Sequence, residues 1–341
     1  MPRRITMLLL FLVVLGLTLG SGISYAAGPG GKTPADFYRG KKIIMRTQSA
    51  GGSTDMVART IAPLLEKELG ATVVVKNAER GMVKQINEAF KARPDGLNLS
   101  MIDRGTMTLN YLTKQPGVAW DPAKFIWISV QGQQRNIVCV RPDGPYKSMA
   151  DLQRGKGLKF AVTSPTGNYS LGAMVVIEVF NLDAKVVTGL KVGEFRLSVQ
   201  KGESDACVLT EAPLLKAVEG GQLTPILSNY TKSKLFPKVP ALLDMSNLTE
   251  QQRLTAEMVG PTDKVLLTSP GTPQDTVDFL RRLLKKINKD PSNIDILKKR
   301  TGLADWVFVE GEVGQKNIIR QIEKGQELKM YLDTLIQRYR L

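Results

Sequence analysis

Two polar loops in the sequence carry residue types that suit the binding of an anion. The first loop lies between an apolar run at 43–45 and a run with helical apolar spacing at 54–69. Its residues are Gln48, Ser49, Ala50, Gly51, Gly52, Ser53, Thr54 and Asp55. Glycine permits a tight turn, and the first N–H groups of a helix have no partner within it and carry a partial positive charge. We therefore predict that a ligand carboxylate binds here, the alternative being a turn that binds nothing.

The second loop repeats this arrangement later in the chain. It lies between a strand-like run at 158–162 and an apolar helical run at 171–180. Its candidate ligand-binding residues are Thr163, Thr166, Gly167, Asn168, Tyr169 and Ser170. Two such loops, one in each half of the chain, predict a ligand held between two lobes. The alternative is an ordinary capped loop, since Ser, Thr, Asn and Gly are the usual residues of loops.

Arg104 and Asp205 complete the set of candidate site residues. Arg104 follows a strand-like run at 97–102, where its guanidinium would bind a carboxylate or pair with Asp103 or another acid. Asp205 precedes a strand-like run at 206–209. Asp103 and Asp205 are also the pair of carboxylates that we weigh for acid/base catalysis. No motif joins the two, so we expect a protein that is not an enzyme.

The sequence contains no histidine and two cysteines. This composition excludes Ser-His-Asp and Cys-His nucleophiles, histidine-containing metal sites and four-thiolate zinc sites. We therefore expect no metal and no cofactor. Cys139 and Cys207 both lie in strand-like runs, so they form a disulfide in an oxidising compartment or remain free as small core residues.

The N-terminal segment 1–26 is typical of a secretory signal peptide. Two arginines precede an apolar run at 7–19, and the small residues Ser24 and Ala26 suit a signal peptidase. We predict cleavage after Ala26 and a periplasmic location. The alternative is a membrane anchor, but the apolar run is shorter than the ~20 residues that span a bilayer.

The formal charge of +15 favours anionic partners. Nucleic acid is not expected, because the aromatic residues are not interleaved with the basic ones as a stacking surface requires. Small anions are the better match to an exported protein.

The elements that must position the two loops follow a β-α-β-α-β order from 43 to 102. This order predicts a parallel, doubly wound α/β sheet that binds ligands at the carboxyl ends of its strands. The chain is expected to enter a second unit between 120 and 137. Helices are expected near the C-terminal end, over 274–288, 291–300 and 313–339. We assign residues 33–138 and 262–341 to lobe 1 and residues 139–261 to lobe 2.

With these segments in order, six short motifs resemble those of one family. The motifs are Ala50-Gly51-Gly52-Ser53-Thr54-Asp55-Met56-Val57-Ala58-Arg59, Val73-Val74-Val75-Lys76-Asn77 with Gly81, Ala92-Arg93-Pro94-Asp95-Gly96, Asp121-Pro122-Ala123-Lys124-Phe125, Lys201-Gly202-Glu203-Ser204-Asp205 and Phe236-Pro237-Lys238-Val239-Pro240. Over essentially the whole chain after the signal segment, the sequence resembles the substrate-binding proteins of tripartite tricarboxylate transporters, the Bug family.

The resemblance implies a two-lobed, type II periplasmic-binding-protein fold, with a mostly parallel, doubly wound sheet and flanking helices in each lobe. It also implies a monomeric receptor that holds a mono-, di- or tricarboxylate between residues 49–55 and 163–170. Its client would be the integral membrane subunits of a transporter, or alternatively a sensor kinase.

Two departures from the family pattern concern selectivity. Gln48 stands where the family usually has an aromatic residue, and Gly167 begins a G-x-G-S-x-x-H pattern that lacks its second glycine and its histidine. We therefore expect the preference for one acid over another to depend on Gln48, Arg104 and Tyr169. We also expect Asp55 to cap its helix rather than to contact the ligand, because two carboxylates repel each other.

Overall fold

A computed structural model describes residues 34–48, 50–77, 81–164, 166–304 and 306–339. The predicted signal peptide, residues 1–26, and the candidate Ser49 lie outside these described residues. Within them, none of the helices combines the length and the apolar character that crossing a bilayer requires.

The first part of the chain alternates strands and helices. In order these are α1 (Pro34–Tyr38), β1 (Lys42–Thr47), α2 (Ser53–Leu69), β2 (Thr72–Asn77), α3 (Met82–Phe90), β3 (Asn98–Asp103) and α4 (Arg104–Leu112). Strand β1 pairs in parallel with both β2 and β3, as the β-α-β-α-β order predicts. Helix α2 ends at Gly70, whose backbone is left-handed with φ of 59°, a conformation that glycine adopts without strain.

A long strand, β4 (Ile126–Val140), carries the chain from the first part of the sheet into the second. Its first residues pair antiparallel with β9 (Pro261–Thr268) and β10 (Phe308–Glu310). Its last five residues, Asn136–Val140, pair antiparallel with β7 (Ala206–Thr210). The predicted crossing between 120 and 137 therefore runs largely along one continuous strand. The lobe boundaries assigned above stay a prediction.

The middle of the chain forms the second part of the sheet. Besides β7 it contains α5 (Met149–Arg154), β5 (Leu158–Ala161), α6 (Asn168–Val179), β6 (Ala184–Val187), α7 (Val192–Lys201), α8 (Glu211–Glu219), β8 (Thr224–Ser228) and α9 (Glu250–Val259). Strand β5 pairs in parallel with β6 and β7, whereas β8 pairs antiparallel with β4. The parallel strands place the starts of α6 and α8 at one edge of the sheet.

The C-terminal part returns to the first part of the sheet. It contains α10 (Gln274–Lys289), α11 (Pro291–Thr301), α12 (Gly311–Glu327) and α13 (Lys329–Tyr339). The expected single helix over 313–339 is wrong, because the chain forms two helices that meet at the buried Leu328. Helix α12 packs on β4 and α4, whereas α13 packs on α6 and β6.

The complete sheet has the strand order β2-β1-β3-β9-β4-β7-β5-β6, with β8 and β10 also paired to β4. It is mixed, because β9 is antiparallel to β3 and β4, while the strands that lead into the two candidate loops are parallel to their neighbours. The α/β fold with flanking helices agrees with the prediction. The amphipathic helices bury their apolar sides in the core. In α10, for example, the apolar residues from Val277 to Ile287 are buried.

Cys139 and Cys207 face each other in the register of β4 and β7. Both are buried free thiols, with 3.4 Å between their Sγ atoms. Burial and the neighbouring thiol raise the pKa of Cys139 well above its ordinary value.

Candidate functional site

The two candidate loops meet at one cavity of about 120 Å³. Its lining consists mainly of residues at strand ends and in the first turns of helices. These residues are Gln48, Gly52, Ser53, Thr54, Met82, Asp103, Thr106, Thr163, Gly167, Asn168, Tyr169, Thr210 and Thr262. The cavity therefore lies at the carboxyl ends of the parallel strands, which is the edge where α/β sheets bind ligands.

Helix α2 points an open N-terminus at this cavity. Its N-cap is Gly52, which has no side chain to accept a hydrogen bond from the first turn. Gly51, with φ of 75°, makes the turn that directs the chain into the helix. Ser53 and Thr54 follow as the first helical residues and line the cavity, whereas Ala50 and Gly51 are exposed on the turn outside it.

The prediction that Asp55 caps its helix is wrong, because the N-cap is Gly52 and Asp55 faces back into the loop rather than toward the cavity. Its Oδ2 accepts a hydrogen bond of 3.0 Å from the N–H of Gly51, and its Oδ1 accepts one of 2.7 Å from Asn77 Nδ2. Arg59 Nε lies 3.0 Å from Asp55 Oδ1. These contacts occupy the carboxylate in holding the turn, so it is kept away from an anion bound at the helix start.

Gln48 forms part of the cavity wall and is held on both sides. Its Oε1 accepts a hydrogen bond of 2.9 Å from Thr54 Oγ1, and its Nε2 lies 3.2 Å from the sulfur of Met82. Asn77 Nδ2 also donates to the backbone carbonyl of Gln48, at 2.7 Å. The side chain at the position of the family's aromatic residue is thus buried, polar and fixed in orientation.

Helix α6 presents the second open N-terminus. Its N-cap is Gly167, which again supplies no side-chain acceptor. Asn168 is 4% exposed, and neither its Nδ2 nor its Oδ1 has a hydrogen-bond partner among the described residues. The side chain of Thr163 lines the same cavity. An N–H-rich helix start and an unpaired amide therefore face one space.

Two predicted residues of the second loop have other partners. Thr166 Oγ1 donates to Asn110 Oδ1 at 2.9 Å, and Ser170 Oγ donates to the carbonyl of Ser164. Neither Thr166 nor Ser170 is among the described residues that line the cavity. The structure thus places both of them behind the cavity wall, where they brace the loop.

Tyr169 contributes a neutral phenol to the wall. Its hydroxyl lies 3.4 Å from Thr210 Oγ1, and its ring meets Phe195 edge to face. Burial raises the pKa of Tyr169 to about 12, so the phenol keeps its proton at neutral pH.

Asp103 is the only charged residue among the described residues that line the cavity. Its Oδ1 caps α4 by accepting a hydrogen bond of 2.9 Å from the N–H of Thr106. Its Oδ2 accepts a hydrogen bond of 3.0 Å from Lys264 Nζ, which also donates to the carbonyl of Thr262 at 3.2 Å. Lys264 is fully buried, so the carboxylate is neutralised from behind the wall.

Arg104 points away from the cavity. Its Nε and Nη2 lie 2.9 and 2.8 Å from Asp263 Oδ2, and its Nη1 donates to Gln321. Of the two possibilities considered for this guanidinium, the structure has the ion pair with an acid, which is Asp263 rather than Asp103. Arg104 borders a separate groove on the α9 and α12 side.

Asp205 lies at the opposite edge of the sheet from the cavity. Its Oδ2 accepts a hydrogen bond of 2.8 Å from the N–H of Lys159 at the start of β5. Thr210 in the cavity wall lies five positions further along the chain, at the other end of β7, a distance of about 16 Å along an extended strand. The structure therefore does not bring Asp103 and Asp205 together.

Sequence reasoning missed several residues of the wall. Met82, Thr106, Thr210 and Thr262 line the cavity, and Lys264 supports it. Thr106 and Thr210 follow the ends of predicted strands, so treating every strand end as a candidate position would have found them. The signal for Lys264 is a charged residue inside an apolar strand, which needs a partner when it is buried.

The cavity has the electrostatic features of an anion site. Open starts of α2 and α6 place unpaired N–H groups and partial positive charge on its walls, worth roughly 0.3–2 kcal/mol per anion. Neutral hydroxyls and amides supply the remaining polar surface. Among the described residues no group of three or more His, Cys, Asp or Glu side chains is arranged to hold a metal ion.

Comparison with known proteins finds one curated relative and many solved structures. No family model matches the sequence. The UPF0065 protein in the gbd 5' region of Cupriavidus necator is 27% identical over 212 residues, which are 58% of this chain and 62% of that protein. The match thus spans less than two thirds of that relative.

Solved structures match over most of the chain. The periplasmic binding protein BugD has a TM-score of 0.72 and 20% identity, over 87% of this chain and 99% of its own. MatC from Rhodopseudomonas palustris with bound malate has a TM-score of 0.68 and 18% identity, over 87% and 99%. A further R. palustris protein with adipate has a TM-score of 0.73 and 18% identity, over 86% and 97%. These matches confirm the periplasmic-binding-protein fold and the resemblance to Bug-type proteins.

Proposed function

We propose that this protein is an exported solute-binding receptor that captures a small organic carboxylate between the α2 and α6 loops. The carboxylate would be held by the first N–H groups of α2 and α6, with the hydroxyls of Ser53, Thr54 and Thr163 around it. In this proposal Gln48 and Tyr169 shape the wall, and Arg104 and Asp205 have structural roles instead.

One observation carries the proposal. Two helices from different parts of the sheet begin at the same small cavity, and both have glycine at the N-cap, Gly52 and Gly167. An acidic or hydroxyl side chain at the N-cap would satisfy the helix from within the protein. Glycine leaves those N–H groups to a ligand, and two such starts facing one cavity favour an anion.

The relatives support the same class of ligand. Two of the matched structures contain malate and adipate, both small carboxylates, and a third, BugD, is a periplasmic binding protein. We propose periplasmic export, with removal of residues 1–26, and delivery of the acid to the membrane subunits of a tripartite tricarboxylate-type transporter by a monomeric receptor. Residues 33–138 with 262–341, and residues 139–261, would be its two lobes.

The experiment is isothermal titration calorimetry on protein stripped of co-purified ligand by unfolding and refolding. The panel holds mono-, di- and tricarboxylates of two to eight carbons, each paired with its uncharged amide as a control. We expect at least one acid to bind with a dissociation constant near or below about 1 μM, about −8 kcal/mol, and its amide to bind at least a hundredfold more weakly. If no acid in the panel binds to the refolded protein, the proposal is wrong.

A further inference from the structure

One corner of the cavity has hydrogen-bonding capacity that the protein does not use. It is formed by Asp103, Asn168 and Thr262, which we call the polar corner. The three come from β3, α6 and β9, so the tertiary structure alone brings them together. Gly105 lets the amide of Asn168 lie against α4, since a Cβ atom at residue 105 would come within 3.0 Å of Asn168 Nδ2.

The unused groups are both acceptors and donors, since the buried Asn168 Nδ2 also has no partner among the described residues. Asn168 Oδ1 and Thr262 Oγ1 are buried and have no partner among the described residues. Each carboxylate oxygen of Asp103 accepts one hydrogen bond from the protein, from Thr106 N–H or from Lys264 Nζ, and has a further lone pair. A buried acceptor without a donor costs free energy, so a ligand that supplies a donor at this corner gains from it.

The charge at the corner disfavours a second carboxylate on the ligand. A carboxylate placed there would face the carboxylate of Asp103, whereas Arg104 is turned to Asp263 outside the cavity. An ammonium group would gain little, because the ammonium of Lys264 already lies 3.0 Å from Asp103 Oδ2 and the open helix starts repel cations. An uncharged donor meets neither obstacle.

We propose that the ligand is a hydroxy-monocarboxylate, whose carboxylate binds at the helix starts and whose hydroxyl donates to the polar corner. This inference rests on the proposed function and narrows its substrate class. The hydroxyl hydrogen would go to Asp103 or Asn168 Oδ1, and the hydroxyl oxygen would accept from Asn168 Nδ2 or Thr262 Oγ1. One hydroxyl supplies one donor and up to two acceptor lone pairs, so it would give a partner to some of the groups that are unpaired in the free protein.

The test is calorimetry on the stripped protein with four-carbon acids that differ in their second group. The probes are butyrate, its 2-, 3- and 4-hydroxy derivatives, 4-aminobutyrate and succinate. We expect one hydroxybutyrate to bind at least tenfold more tightly than butyrate, 4-aminobutyrate and succinate. The inference is overturned if succinate or 4-aminobutyrate binds as tightly as the best hydroxy acid, if butyrate lies within threefold of it, or if none of the six binds.

Variants connect the preference to the polar corner. In Asp103→Asn with Lys264→Met, which removes both charges together, we expect the discrimination against succinate to fall below threefold. In Asn168→Ala we expect the advantage of the hydroxy acid over butyrate to fall below threefold. Asp290→Asn is the matched control, because Asp290 also caps a helix, α11, but lies outside the cavity lining; it should keep the full preference.

The two proposals fail in different ways. If the wider panel contains a binder but the four-carbon series shows no hydroxyl preference, the receptor function stands and the hydroxy-acid inference fails. If no acid in either panel binds, both fail. If Asn168→Ala and the double variant both fold, as their unfolding curves report, and both keep the preference, the polar corner does not read the hydroxyl.

Discussion

Helices α2 and α4 begin at the same edge of the sheet, after the neighbouring parallel strands β1 and β3, yet their first turns are completed differently. Helix α4 is capped by Asp103, whose charge is balanced by the buried Lys264. Helix α2 is capped by Gly52, and its nearest acid, Asp55, is turned back into the loop by Gly51, Asn77 and Arg59. One helix start is closed by the protein and the other is left open.

The difference teaches where an anion is expected. A helix start attracts an anion only if no side chain of the protein already occupies its first N–H groups. At α4 the protein supplies that anion itself, as the carboxylate of Asp103. At this edge of the sheet a ligand therefore meets a hydrogen-bond acceptor at α4 and N–H donors at α2. Helix α6 also has a glycine, Gly167, at its N-cap, so its start is open like that of α2.

The largest effect on stability is expected when the carboxylate that caps α4 loses its buried counter-charge. Lys264→Met removes the fully buried ammonium that pairs with Asp103 and leaves a carboxylate without its counter-charge. We expect the free energy of unfolding to fall by about 3–5 kcal/mol. Urea unfolding followed by tryptophan fluorescence measures it. The double variant with Asp103→Asn should recover most of the lost free energy of unfolding. If Lys264→Met alone is as stable as the wild type, Lys264 does not balance the charge of Asp103.

The next effect comes from closing the open start. Gly52 has φ of −78° and ψ of 165°, which any residue adopts, so Gly52→Asp should place a carboxylate at the N-cap of α2 as Asp103 does at α4. We expect the affinity for the acid found in the panel to fall about a hundredfold, about 2.7 kcal/mol, because the new carboxylate occupies the N–H groups and repels the ligand.

Calorimetry with the same acid checks this change, and Gly52→Ala is its control. Alanine adds a side chain without an acceptor or a charge, so its affinity should stay within about threefold. Equal losses in the two variants would mean that bulk at position 52, and not the open helix start, determines binding.

A smaller effect on stability, with none on binding, is expected at Arg104. Arg104→Ala removes the charged hydrogen bonds to Asp263 and Gln321. We expect the free energy of unfolding to fall by about 1.5–3 kcal/mol, while the affinity for the acid changes less than about threefold. A thirtyfold loss of affinity at unchanged stability would return Arg104 to the binding site.

The smallest effect concerns the pH dependence of Tyr169. Its pKa is about 12 in the folded protein and about 10 in an unfolded chain, so the folded state keeps the proton longer. The corresponding stability is fully present below pH 10 and is lost as the pH rises toward 12. At pH 11 the loss should be about 1.4 kcal/mol.

Unfolding at pH 9 and pH 11 in the wild type and in Tyr169→Phe measures this difference. The variant should lose about 1.4 kcal/mol less than the wild type between the two pH values, because phenylalanine has no proton to release. Equal losses would show that Tyr169 titrates normally. Because the phenol of Tyr169 stays protonated between pH 7 and pH 9, its titration should not change acid binding by the wild type over that range.

Much of the fold and eight of the thirteen described residues that line the cavity follow from local patterns. The alternation of strands and helices, the turn at Gly51 and the loop after β5 are readable because each depends on residues close in sequence. Part of the cavity lining lies within the two loops named from the sequence. These residues are Gln48, Gly52, Ser53, Thr54, Thr163, Gly167, Asn168 and Tyr169. The break between α12 and α13 was not predicted; the two helices pack on different elements of the fold.

The sequence by itself determined that two polar, glycine-containing loops lead into helices and that histidine chemistry is excluded. It did not determine which charged residues reach the cavity, because partners such as Arg104 and Asp263, or Asp103 and Lys264, are more than 150 positions apart along the chain. Only the tertiary structure, by placing β9 between β3 and β4, turned Arg104 outward and gave Asp103 its buried counter-charge. Local hydrogen bonding sets a helix start, whereas the charge of a site depends on strands that meet only after folding.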